Sequence, residues 1–170
     1  MYERYPQLIK DVFNGNVSIS CKGGESSTGL LKKIDTDFNM FKPKYTLLAI
    51  GINDYIVDDN TLQQYKQNMS ILINKIRANG SEVILTTFPR LGGGGKIDQY
   101  NSWIRNYIPF RYLDIQNVTA IEDTTTGTPD PQYFLADGHP NVLGNQRIYE
   151  LFMMNFGDLL ADNNLSLINI

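Results

Sequence analysis

The chain has 170 residues, of which 42% are hydrophobic and 19% charged, the composition of a single folded domain with its own core. Fifteen Lys and Arg stand against 18 Asp and Glu, a net charge of −3 without any basic block, so a phosphate backbone is not an expected partner. No stretch approaches the run of about 20 apolar residues that a membrane span needs, and one His with one Cys cannot assemble a conventional zinc site.

Helical and strand signals alternate along the chain. Tyr5 to Phe13 spaces Leu8, Ile9, Val12 and Phe13 as one helical face, which Asn14-Gly15-Asn16 stops. Val17 to Cys21 reads as a short strand followed by a turn at Gly23-Gly24. Ser26 or Ser27 can cap a helix from Thr28 to Phe41, with Leu30, Leu31, Ile34 and Phe38 on one face and Pro43 ending it. Tyr45 to Ile50 is a continuous apolar run, the pattern of a parallel strand covered on both faces. A long helix from Asn60 or Thr61 to Ala78 closes at Asn79-Gly80, and Glu82 to Phe88 is a second buried strand. A helix from Ile97 to Ile108, a short strand from Tyr112 to Ile115, a Thr- and Pro-rich loop over 119–136 and a helix from Asn141 to Leu160 complete the pass. Strands separated by helices predict βαβ units, a parallel sheet and helices on both faces, in one domain over 1–170. Ligands of such sheets bind at the carboxyl ends of the strands, which directs attention to the turns after Cys21, Ile50, Phe88 and Ile115.

Three of those places carry distinctive residues: Gly23-Gly24, Gly51-Ile52-Asn53-Asp54 and Asp137-Gly138-His139-Pro140-Asn141. Each alone reads as an ordinary turn or helix cap. Together, on one sheet edge, they supply backbone N–H groups, a side-chain amide, a base and a carboxylate, the parts of an acyl-transfer site apart from its nucleophile.

In their order and spacing these runs resemble the SGNH (GDSL-type) esterases. Gly51 to Asp54 resembles that family's GxND block, and Asp137 to Asn141 its Asp/His segment. Lys22 to Leu31 with Lys42-Pro43-Lys44 is similar to the second block, and Thr86 to Arg90 and Tyr100 to Ile104 fit the later pattern. The resemblance implies a three-layer α/β/α sandwich with a flavodoxin-like parallel sheet. It implies His139 as general base, Asp137 as its orienting carboxylate, and Asn53 with Gly23 or Gly24 as oxyanion donors. It implies hydrolysis of O-acyl esters, on carbohydrate or lipid, without metal or organic cofactor. The Asp sits two residues before the His rather than the commoner three.

The departure that matters is the first block. The family's opening strand ends in Gly-Asp-Ser, whose Ser is the nucleophile, and no Gly-Asp-Ser occurs here. Gly157-Asp158 is followed by Leu159. Tyr2 to Pro6 resembles the helix after that block, so the nucleophile is expected upstream of Met1. An inactive binding or structural module is the alternative reading. Ser20, Ser26 and Ser27 flank the glycines and read as a strand end and helix caps. The missing strand belongs inside the sheet, between the Val17 and Tyr45 strands, and a buried row of unpaired amides there must be filled. Leu165 to Ile170 is short, apolar and strand-like; that tail, or a strand from a partner chain, is expected in the slot. The opening residues carry no apolar run of signal-peptide length, so a soluble chain is expected and the compartment stays open. Gly92 to Lys96 lacks the flanking residues of a P-loop and reads as a rim loop, and Asp54, Asp58 and Asp59 read as a solvated turn.

Overall fold

The computed structural model of the chain describes residues 4–13, 17–20, 22–36, 42–54, 56, 58–89, 96–107, 109–116, 130–161 and 167–169. The elements, in chain order, are α1 (Tyr5–Val12), β1 (Val17–Ile19), α2 (Ser27–Leu31), β2 (Tyr45–Leu48), α3 (Asp59–Ala78), β3 (Glu82–Thr86), α4 (Ile97–Arg105), β4 (Arg111–Leu113), α5 (Val142–Phe156) and β5 (Leu167–Asn169). Short 3-10 turns cover Ile52–Asp54 and Gly157–Ala161.

All strand pairs are parallel, in the order β1-β5-β2-β3-β4. The slot between β1 and β2 is filled by the chain's own tail. Leu167, Ile168 and Asn169 pair with Val17, Ser18 and Ile19 on one side and with Tyr45, Thr46 and Leu47 on the other. Filling it satisfies two inner edges whose amides would otherwise be buried without partners.

Alternation along the strands divides the core into two layers. Leu48, Val83 and Leu85 face α2, α3 and α4, where they meet Leu30, Met69, Leu72, Ile76, Tyr100 and Ile104. Leu47, Ile84 and Leu113 face the other way, onto Ile9 and Phe13 of α1 and Ile148, Phe152 and Phe156 of α5. This is the three-layer α/β/α sandwich that the pattern predicts. Helices α2, α3 and α5 start where the sequence supplies side-chain caps. Asp58 and Thr61 form a reciprocal capping box at α3, with Thr61 N to Asp58 Oδ1 at 2.7 Å and Asp58 N to Thr61 Oγ1 at 3.0 Å. Ser26 Oγ accepts from Gly29 N at α2, and Asn141 Oδ1 accepts from Gly144 N at α5.

Some bounds differ from those expected. Helix α2 ends at Leu31 and, after a turn at residues 32–33, the chain is helical again at residues 34–36, rather than running unbroken from Thr28; Phe41 and residues 37–40 lie outside the described residues. The Gly92 loop and most of the 119–136 loop also lie outside them, as does Cys21. Among the described residues no helix is long and apolar enough to cross a membrane.

Candidate active site

The turn after β2 is shaped by a tyrosine beneath it. Tyr65 of α3 is fully buried and donates its hydroxyl to Ile50 O at 2.6 Å. Its ring lies so close under Gly51 that a Cβ there would stand 2.8–2.9 Å from Cε2, Cζ and the hydroxyl. Gly51 also has φ +142°, in the range that L side chains avoid. Glycine is therefore required twice over at the start of the Gly-Ile-Asn-Asp run, and the chain then winds into the 3-10 turn that presents Asn53.

Asn53 donates its side-chain amide to Glu25 O at 3.1 Å, so it is held against the loop after β1. Asp54 makes the same connection more firmly. Its carboxylate accepts from Ser27 N at 2.9 and 3.2 Å and from Ser27 Oγ at 2.5 Å. Ser27, fully buried, in turn accepts from Asn68 Nδ2 at 2.8 Å, and the same amide donates to Thr28 Oγ1 at 2.9 Å. The three acids do not form one solvated turn: Asp58 and Asp59, both exposed, cap and open α3, whereas Asp54 clamps the 3-10 turn to the first turn of α2. Burial raises its pKa above the ordinary carboxylate value, against the two hydrogen bonds from Ser27 that lower it.

The loop before α5 is a compact hairpin. Phe134 and Pro140 bridge in antiparallel fashion, Leu135 N donates to His139 O at 2.8 Å, and Gly138 N donates to Leu135 O at 2.9 Å. Gly138, at φ +84°, allows the reversal between the Asp and the His. Asp137 Oδ1 lies 3.2 Å from His139 Nδ1 and also accepts from His139 N at 3.0 Å. That backbone hydrogen bond is the main cause of a lowered Asp137 pKa, with the imidazole adding to it. The two-residue spacing therefore still brings carboxylate and ring together. Both side chains are largely exposed, His139 at 71% and Asp137 at 65%.

Asn145, buried on α5, ties this loop to the rest. Its Nδ2 donates to Pro140 O at 3.0 Å and Asn141 O at 2.8 Å, while its Oδ1 accepts from Tyr5 N at 2.9 Å at the start of α1. Neither the burial of Asn145 nor that of Ser27 could be read from the residues alone, because nothing distinguishes a buried amide or hydroxyl from an exposed one until the fold is known. An Asn four residues after a helix cap was the available signal.

A cavity of about 430 Å³ opens at this edge, lined by Ser20, Lys22, Glu25, Asn53, Asp137 and His139, with Arg4 and Lys33 at its sides. Of the five expected site residues, Asn53, Asp137 and His139 line it. Gly23 and Gly24 do not, although Lys22 and Glu25 on either side of them do. Both glycines are exposed, with Gly24 at φ +74°. The ends of β3 and β4 do not reach the cavity. Ser26 is occupied as a cap and Ser27 lies buried on Asp54, which leaves Ser20, at the end of β1, as the serine among the described residues that faces the cavity. The same residues contain no group of three metal-binding side chains.

A family model of the GDSL-like lipase/acylhydrolases matches residues 1–147. The chain belongs to this family. Solved structures agree on the fold. A Bacteroides fragilis protein assigned provisionally to the acylhydrolases superposes with a TM-score of 0.76 at 20% identity, over 92% of this chain and 82% of that one. A point variant of an acetyl xylan esterase from Geobacillus stearothermophilus gives 0.68 at 21%, over 91% and 82%. A second acetyl xylan esterase gives 0.73 at 15%, over 90% of each chain. No curated protein matches the sequence.

Proposed function

We propose that this cavity hydrolyses carboxylic O-acyl esters by way of an acyl-enzyme, with a short acyl group on a carbohydrate alcohol as the substrate. The observation that carries the reading is the His139–Asp137 pair facing the same cavity as the Asn53 amide. Acetyl xylan esterases among the structural neighbours support the choice of a short acyl group on a sugar.

In this reading His139 takes the proton of a serine hydroxyl as that oxygen attacks the ester carbonyl. Asp137 holds the ring by Nδ1, fixes its tautomer and stabilises the imidazolium. Negative charge grows on the carbonyl oxygen, and Asn53 Nδ2 donates to it. Collapse expels the alcohol, which receives the proton from His139. Water, deprotonated by the same ring, then attacks the acyl-serine, and a second collapse releases the acid and restores the hydroxyl. Asn53 Nδ2 carries two N–H donors, and one of them is taken up by Glu25 O, which leaves the second for the oxyanion.

The experiment is p-nitrophenyl acetate hydrolysis by the chain, with His139→Ala beside it. Hydrolysis that vanishes in the variant supports the reading. A fluorophosphonate label then places the nucleophile: label on Ser20 puts it in this chain's first strand, and label on another serine puts it on the segment that carries that residue. Hydrolysis no faster than that of His139→Ala refutes the reading.

A further inference from the structure

Glu25 has no part in the chemistry above, yet its side chain is set into the cavity wall and only 11% exposed. Two ammonium groups approach its Oε2, Lys33 Nζ at 3.2 Å and Lys22 Nζ at 3.9 Å. Neither meets hydrogen-bond geometry: Oε2 is buried and has no hydrogen-bond partner. A buried carboxylate oxygen in that condition is an acceptor waiting for a donor. The local backbone makes room for it, since a Cβ on Gly29 would collide with Glu25 Oε1.

The surroundings select the kind of donor. A cationic ligand would meet Lys22, Lys33 and Arg4 at the cavity wall, and an anionic one would meet Glu25 itself. A neutral hydroxyl satisfies Oε2 with one proton, while the same ammonium groups can donate to neighbouring ether or hydroxyl oxygens. Glu25 also holds Asn53 through its backbone carbonyl. An alcohol bound at its side chain therefore lies beside the amide proposed to receive the ester's oxyanion.

We propose that Glu25 is the specificity-determining residue of this site, accepting a hydrogen bond from a free hydroxyl of the polyhydroxylated alcohol that carries the acyl group. This rests on the esterase reading of the cavity and narrows it: the alcohol has free hydroxyls next to the ester, which fatty monoalcohols and fully acylated sugars lack.

The test is binding of methyl 2-O-acetyl-β-D-xylopyranoside, followed by saturation-transfer NMR in a His139→Ala chain so that the ester persists. The fully acetylated glycoside, which has no hydroxyl donor, is the comparison ligand. Glu25→Gln is expected to weaken binding of the monoacetate about tenfold or more, the worth of a hydrogen bond to a charged group, and to leave the weaker binding of the fully acetylated ligand as it was. Gly29→Ala, which displaces the same carboxylate without removing it, is expected to do likewise, and Glu82→Gln on the far end of β3 to change nothing. Thermal unfolding checks that the variants are folded. No saturable binding, equal affinity for the two glycosides, or a monoacetate affinity unmoved by both Glu25→Gln and Gly29→Ala overturns the proposal. Nitrophenyl ester hydrolysis separates the two readings. His139-dependent turnover without Glu25-dependent binding leaves the esterase and removes this role. Glu25-dependent binding without turnover leaves a sugar site and removes the esterase.

Discussion

Gly51→Ala tests whether the turn that presents Asn53 is built on Tyr65. The new methyl would stand 2.8–2.9 Å from three atoms of a ring that is fully buried and tied to Ile50 O. A side chain held at this φ costs about 1–3 kcal/mol. Forcing a methyl into a filled site costs about 1–3 kcal/mol more. The expected loss is therefore about 4 kcal/mol, or about 8–16 °C in Tm for a domain of this size. Urea titration followed by circular dichroism measures it. Two companions divide the cost. Tyr65→Phe keeps the ring and orphans Ile50 O, for about 1–2 kcal/mol, and removes only the hydroxyl among the three atoms that collide in the Gly51→Ala chain. Tyr65→Leu removes the atoms in collision, so the double variant with Gly51→Ala should be more stable than the two single losses added together, by about 1–2 kcal/mol. Strict additivity, or a Gly51→Ala chain within about 0.5 kcal/mol of the parent, would refute the argument that ring and glycine are fitted to each other.

Asn145→Ala should cost about 2–4 kcal/mol, because Tyr5 N, Pro140 O and Asn141 O all lose a partner, and should also slow any His139-dependent hydrolysis by freeing the loop; denaturation and kinetics on the same preparation check both. Asn53→Ala should lower turnover about 100- to 1,000-fold, as loss of an oxyanion donor does, while costing little stability, since its amide meets only Glu25 O in the resting state; an unchanged rate would remove it from the site. Carbon-detected NMR should find Asp54 titrating above the ordinary carboxylate value and Asp137 below it. The signs follow by linkage. Asp54 binds its proton more tightly folded than unfolded, so its contribution falls as pH rises from the unfolded value through the raised folded one, and Asp54→Asn should flatten that slope. Asp137 does the reverse, contributing above the unfolded value and losing that as pH falls through its lowered one. A chain cut after Ala161 should lose about 1 kcal/mol for each ladder bond on the two slot edges and should self-associate in size-exclusion chromatography through those edges; a stable monomer would contradict the paired tail.

The layers were legible because burial leaves a direct mark on composition. Tyr45 to Ile50 and Glu82 to Phe88 are apolar on successive residues, and only a strand covered on both faces tolerates that. The GIND and DGHPN runs were legible because a turn confines residue choice. That the slot must be filled followed from accounting for backbone amides; the apolar, strand-like sequence of the tail made it one candidate, with a strand from a partner chain as the other, and the pairing of β5 decides for the tail. What stayed hidden were contacts between elements far apart in sequence. Asp54 looks like one acid among three until Ser27 is brought to it, and Asn145 looks like helix surface until Tyr5 docks. Glu25 was passed over for a similar reason: a single carboxylate before a helix cap is usually exposed, and only the approach of Gly29 and Lys33 marks it otherwise. The break in the helix at residues 32–33 belongs here too, since the apolar face ran on through it with helical spacing.

The place of β5 has a consequence for the order of assembly. Val17 and Tyr45 find their neighbour in Leu167, nearly the whole length of the chain away. Closing that contact is the most entropically expensive loop in the molecule, and it has to wait for the last strand to be synthesised. The β2-β3-β4 half can form first, from segments that follow one another. Until the tail arrives, β1 and β2 offer two facing rows of unpaired amides to any extended peptide nearby. The slow step in folding and the point of greatest exposure to misassembly are then the same event.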